Sequence, residues 1–288
     1  MSTVRIVTDS TSDIPAELRE QLGIEMIPLQ VIFGSETFLD NVTLTPEQFY
    51  EKLQSATVMP TTSQPSPIQF MEAYERILNE QPGASIISMH LSAKFSGTYQ
   101  SATIGASMLE RDADISVYDS KSASYGIGML VVRAAQLAQQ GKSKAEILED
   151  IEQMNEDKKL YFLVDTLEYL QKGGRIGRAS ALIGSILNIK PIMTIDSEGY
   201  VNVKDKVRGQ KKAVARILEL MERDFGKDPV DLTIAWTNVK DLAIELGELT
   251  KTNLNVRSVH HTWIGPVIGA HVGPGAAALF INRVRGSI

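Results

Sequence analysis

The stretch Leu91–Ala102, "LSAKFSGTYQSA", marks a change of periodicity. Ahead of it, Ala84–Met89 is a largely apolar run, the pattern of a buried strand. Behind it, Tyr99–Leu109 carries a helix-like pattern. A buried strand that turns into a helix is the repeating unit of a parallel α/β layer. The turn holds Ser92, Ser96, Gly97 and Thr98. A helix N-terminus has unpaired N–H groups and a partial positive charge. The hydroxyls therefore either cap the helix or, with Gly97 admitting close backbone approach, hold an anion.

The same alternation extends outward. Val4–Val7 reads as a strand running into "TDSTSD", with a helix starting near Pro15. Leu29–Phe33 and Thr37–Leu39 flank Gly34-Ser35 and predict a hairpin. "TPEQ" (Thr45–Gln48), "SPIQ" (Ser66–Gln69) and "SKAE" (Ser143–Glu146) are capping boxes that open three helices. Further strands are expected at Ile115–Tyr118 and Leu160–Val164, giving an α/β fold with a mainly parallel sheet. After residue 160 the texture changes. Glycines cluster at Gly173, Gly174, Gly177 and Gly184. A second hairpin is expected at Ile192–Ile195 and Tyr200–Val203, then a helix over about Gly209–Phe225 and two βα units ending in Ala277–Val284. A chain of 288 residues exceeds the size at which one core keeps growing. The polar stretch Glu156–Lys159 is the expected boundary, giving α/β domains at 1–158 and 159–288.

Hydrophobic content of 43% and charged content of 22% are those of a globular protein. The absence of cysteine excludes disulfides, thiolate metal sites and a cysteine nucleophile. "MSTVRIVTDS" lacks a signal-peptide profile, and no apolar stretch approaches the roughly 18 residues of a membrane span. A cytoplasmic location is expected. The net charge of −6 argues against a broad nucleic-acid surface. His90, His260 and His261 form no metal set, and no metal is expected.

Four polar constellations remain. In "PTTSQPSP" (Pro60–Pro67) a loop and an N-cap explain Ser66–Gln69 but do not require Thr61, Thr62 and Ser63. In "SAKFSGT", Ser96 is an N-cap, an anion ligand or a nucleophile. No G-x-S-x-G elbow occurs in the chain to support the last. In "GAHVGPGA" (Gly269–Ala276), His271 is expected in a glycine-proline turn with its ring accessible among small neighbours. In "YLQKGGRIGRASA" (Tyr169–Ala181), Lys172, Arg175 and Arg178 form either a solvated turn or an anion or partner contact. This glycine run follows a helix-like segment, so it is no dinucleotide fingerprint, and there is no Walker motif. Six more Lys and Arg lie in Lys204–Arg216, ordinarily a solvated face.

In this order, "VTDSTSDIP", "TSQPSP", "FSGTYQSA", Asp119-Ser120, "KGGRIG" and "HVGPG" resemble the motifs of the DegV family over essentially the full chain. The nearest likeness is to its FakB branch, the fatty-acid-binding subunits of bacterial fatty acid kinase. The resemblance implies two α/β domains with a long-chain fatty acid buried between them and no other cofactor. By motif position, Thr62 and Ser96 hold the carboxyl group, with Thr61, Ser63 and the Gly97 amide as neighbours and His271 in the network. Arg175 falls near the opening, where a separate kinase catalytic subunit makes the acyl phosphate that feeds phospholipid synthesis. The chain itself is then a binding subunit, not an enzyme. Many relatives have a second serine where this chain has Ala93, which puts any hydroxyl role at that position in doubt. The basic stretch Lys204–Arg216 would suit a transient membrane-surface contact. Two rival readings are a hydrolase with Ser96 as nucleophile and His271 as base, and a small-anion-binding regulator without lipid.

Overall fold

The structure is a computed structural model and describes residues 3–183 and 189–286. Gly184, the last of the expected glycine cluster, lies outside the described residues. The N-terminal half runs β1 (Val4–Asp9), α1 (Ala16–Leu22), β2 (Glu25–Ile27), β3 (Gln30–Phe33), β4 (Glu36–Leu39), α2 (Pro46–Ser55) and β5 (Thr61–Ser63). It continues with α3 (Pro67–Glu80), β6 (Ser85–His90), α4 (Thr98–Ser107), β7 (Ile115–Asp119), α5 (Tyr125–Gln139) and α6 (Lys144–Asp157). The C-terminal half runs β8 (Lys159–Leu163), α7 (Glu168–Lys172), β9 (Ile189–Ile195), β10 (Val201–Arg208) and α8 (Gln210–Phe225). It ends with β11 (Val230–Trp236), α9 (Asp241–Asn253), β12 (Val256–Trp263), α10 (Pro266–Val272) and β13 (Ala277–Arg283). All three capping boxes form, each hydroxyl accepting from the N3 backbone N–H while the N3 side chain reaches back.

The first sheet is parallel, in the order β2-β1-β6-β7. Every residue of β6 is buried, as a parallel strand covered on both faces requires. Alternation along β1 and β6 sends Val7 and Ile86 to one face, against Phe70, Tyr74 and Ile77 of α3. Ile6, Ile87 and Met89 go to the other face, against Leu130 and Ala134 of α5. The expected hairpin forms, and β5 joins it as a third strand in the order β4-β3-β5.

The second large sheet departs from expectation. Its order is β10-β9-β8-β13-β11-β12, and only β11 and β12 are parallel. The last strand, β13, inserts between β8 and β11 and runs antiparallel to both. Alternating strands and helices give element order but not the direction in which a late strand enters a sheet. Among the described residues no strand pairing crosses Asp157–Lys159, yet the largest apolar core does. It joins Leu130 and Ala134 of α5 to Phe162, Ala278 and Phe280 of the second sheet.

Candidate functional site

A cavity of about 340 Å³ lies between the two halves. Leu29, Leu91 and Phe95 line it from the N-terminal half. Leu160 and Phe162 of β8, with Ala278 and Phe280 of β13, line it from the second sheet. This volume falls at the lower end of the range of small-molecule sites. Its polar lining consists mainly of Thr62, Ser63, Gln64, Ser96, Arg175 and His271.

Thr62 is placed by the pairing of β5 with Val31 of β3, and the stiff Pro65–Pro67 segment leads from it into α3. His271 sits in the last turn of α10, not in the glycine-proline turn expected from sequence. The helix continues through Val272 and stops at Gly273, whose φ of +75° suits a residue without Cβ. Gly269 seats this helix on α2, since a Cβ there would stand 2.5 Å from the Tyr50 hydroxyl. His271 is half-buried and lines the cavity. Burial and the nearby Arg175 lower its pKa to about 4, so it is neutral at neutral pH. Its Nε2 lies 2.9 Å from Thr62 Oγ1, and its Nδ1 is buried without a hydrogen-bond partner. Assigning the proton to Nε2 makes the ring the donor and leaves the Thr62 hydroxyl proton free for the cavity.

Ser96 stands one residue before Gly97, the N-cap of α4, so it is not itself the N-cap expected from sequence. Its hydroxyl accepts from the Thr98 N–H at 3.3 Å and shares a hydrogen bond with Thr98 Oγ1 at 2.9 Å, satisfying the start of α4 while lining the cavity. Gly97 and Thr61, expected as neighbours of the carboxyl site, stand outside the lining. The Gly97 amide donates to Gln64 Oε1 at 3.0 Å, and a Cβ at Gly97 would stand 2.5 Å from Gln64 Nε2. Thr61 is exposed at the end of β5 farther from Gln64. Ser63 does line the cavity. Ala93 is exposed, its amide donating to Asp119 at 3.3 Å, so a hydroxyl lacking there is not lacking from the cavity. Ser92 is a tie between the halves, donating to the Gly199 carbonyl at 2.9 Å.

Of the three cations in the glycine-rich segment, only Arg175 reaches the cavity. Its Nε donates to the Phe95 carbonyl at 3.0 Å and its Nη1 to the Gly173 carbonyl at 2.6 Å. Arg178 pairs with Asp196 and Glu198, and Lys172 pairs with Glu168.

Sequence reasoning passed over Gln64, although it stands inside a motif already singled out for its hydroxyls. It also passed over the buried supports in "VTDSTSDIP". Asp9 accepts from the Leu91 N–H at 3.1 Å and lies 3.0 Å from His90 Nδ1, fixing the start of the polar turn. Asp40 accepts from Ser10 at 2.6 Å and from the Val267 backbone of α10. Burial pushes the Asp40 carboxyl up to about 7, against those hydrogen bonds. Asp13 accepts from Ser124, its Oδ1 is buried without a hydrogen-bond partner, and burial raises its pKa. Such carboxyls are invisible as a site in sequence because they meet only through the fold.

The arrangement offers hydroxyl, amide and guanidinium donors beside a neutral imidazole, with apolar walls beyond. That suits an anionic head on a hydrocarbon body. The nucleophile–base–acid chain of a hydrolase is not assembled, because His271 bonds Thr62 rather than Ser96 and no acid meets its Nδ1. Among the described residues no group of His, Asp and Glu is arranged to hold a metal ion, and no helix is long and apolar enough to cross a membrane.

A family model described as "Uncharacterised protein, DegV family" matches residues 3–283. Protein DegV of Bacillus subtilis is 37% identical over 278 residues, covering 96% of this chain and 98% of its own. A DegV family protein of Thermus thermophilus, whose structure is described by its fatty acid binding, superposes with a TM-score of 0.91 at 35% identity. It covers 98% of this chain and 100% of its own. A DegV family protein of Ruminococcus gnavus, refined with vaccenic acid, superposes with a TM-score of 0.83 at 28% identity, covering 96% and 99%. A site set between two α/β halves, and kinship along nearly the whole length, place this chain in the DegV family.

Proposed function

We propose that this protein binds one long-chain fatty acid in the cavity between its halves, which act as two domains divided near Glu156–Lys159. The observation that carries the reading is the cavity itself, with hydroxyl and amide donors on part of its wall and hydrocarbon on the rest. A buried carboxylate is costly unless hydrogen-bonded. Thr62, Ser63, Gln64 and Ser96 supply such bonds, and Arg175 supplies a charge. Burial of the chain supplies the affinity, at about 0.8 kcal/mol gross per methylene. About fifteen methylenes give on the order of 10 kcal/mol before ordering costs.

In this reading the protein presents the carboxyl group, and a separate kinase subunit in the cytoplasm uses ATP to form the acyl phosphate for phospholipid synthesis. Arg175 lies where both lipid and kinase would meet. The basic stretch Lys204–Arg216 would meet an anionic membrane surface during lipid exchange. The test is denaturing mass spectrometry of an organic extract of the purified protein. One fatty acid per chain, within a narrow range of lengths, is expected. An extract without fatty acid, from protein that also takes none up on incubation, overturns the reading.

A further inference from the structure

A second cavity, about 220 Å³, lies on the same face of the six-stranded sheet as the first. It is lined by Thr233, His260 and Asn282 of the sheet, with Tyr125, Met129 and Arg133 of α5. Strand register fixes its place. One row across the sheet reads Leu160, Phe280, Thr233, His260 on β8, β13, β11 and β12. Leu160 and Phe280 line the first cavity; Thr233 and His260 line the second. Phe280 therefore stands between the two. It is also the last residue along β13 to line the first cavity, and Asn282, two residues on along the same face, lines the second.

The Phe280 ring is held on its α5 side. It meets Tyr125 edge-on with centroids 6.4 Å apart. Gly126 brings the helix close, since a Cβ there would stand 3.2 Å from the ring. The consecutive residues Ser124 and Tyr125 line the first and second cavities respectively, so α5 divides them at the point where the sheet does.

We infer that Phe280, braced by Tyr125, is the stop that sets the acyl chain length this protein accepts. The inference rests on the fatty-acid reading above. The methyl end of the chain abuts the Phe280 ring, and space for further methylenes lies directly behind it.

The test loads wild type, Phe280→Ala and Phe280→Leu with an equimolar mixture of saturated fatty acids of graded length. The bound acids are then measured by mass spectrometry. In Phe280→Ala the profile moves to longer acids, with the ratio of the longer to the wild-type-preferred acid rising roughly tenfold, the gain expected of two further buried methylenes. If the alanine variant does not fold, Phe280→Leu keeps an apolar side chain while removing the ring and gives a smaller shift in the same direction. An unchanged profile in a folded variant overturns the stop while leaving fatty-acid binding intact. Wild type that binds no acid from the mixture overturns the underlying reading instead.

Discussion

Thr62 Oγ1 and His271 Nε2 lie 2.9 Å apart across 209 residues of chain, one on a short strand of the first half and one on a short helix of the second. The pair ties the halves together where the carboxyl group would sit, and each side chain orients the other. Thr62→Ala should weaken fatty-acid binding by about tenfold, the worth of a hydrogen bond to a charged group, and His271→Ala by a similar factor through loss of the orientation it gives Thr62. The double variant should lose much less than the product of the two. Fluorescence titration with a fatty acid across the four proteins reads the coupling. Strictly multiplicative losses would show that the two residues do not act as a unit.

Ser96 serves both the start of α4 and the cavity, and Ser96→Ala separates the two roles. Loss of the bond to the Thr98 N–H should cost about 1 kcal/mol of stability, the worth of an ordinary hydrogen bond. Loss of the donor should move the carbon-13 resonance of a carboxyl-labelled bound fatty acid. A variant with lower stability and an unmoved resonance would leave Ser96 as a support for the start of α4 alone.

Arg175 joins the Phe95 carbonyl of one half to the Gly173 carbonyl of the other. On the proposed kinase reading, Arg175→Ala should lose less in lipid retention through purification and dialysis than in acyl phosphate formation with a kinase catalytic subunit and ATP. Undiminished turnover would remove Arg175 from the transfer step.

Much of this was legible in the chain because it is local. Ser66, Thr45 and Ser143 announce their helices by capping boxes whose partners stand three residues away. Thr62, Ser96, Arg175 and His271 stand in polar motifs, and all four line one cavity. What escaped depends on distance in sequence. The entry of β13 between β8 and β11 is settled by pairings spanning the C-terminal half. Gln64 takes the Gly97 amide only because α3 and α4 are brought together. His271 reads as a turn residue beside "GPG", but packing of Gly269 against Tyr50 favours one more helical turn.

Two glycines with equally tight surroundings should behave differently when replaced by alanine. At Gly105 of α4 a Cβ would stand 2.6 Å from the Pro67 carbonyl oxygen, away from the cavity. At Gly269 it would stand 2.5 Å from the Tyr50 hydroxyl and push on the helix that carries His271. Each substitution should destabilise the fold by about 1–3 kcal/mol. Only Gly269→Ala should also weaken fatty-acid binding, through displacement of His271 from Thr62. Equal binding by the two variants would detach α10 from head-group placement.

Asp40 and His271 respond to pH in opposite senses. Burial raises the Asp40 carboxyl from 3.8 to about 7. Between those values the unfolded chain has released this proton and the fold has not, so stability falls as pH rises through the window. Burial lowers His271 from 6.5 to about 4. There the unfolded chain takes up a proton that the fold refuses, so stability falls as pH falls through that window. Asp40→Asn removes the first effect and keeps the second. The carboxamide has a single acceptor oxygen, so it keeps the bond from Ser10 and loses the one from Asn41, a cost that does not change with pH. The variant should therefore gain on wild type as pH rises, by on the order of a few kcal/mol between about pH 5 and about pH 8. Chemical denaturation of ligand-free protein at the two pH values measures it. A stability difference that stays constant across them would mean that Asp40 is ionised in the fold throughout, with its charge carried by Ser10 and the N-terminal turn of α10.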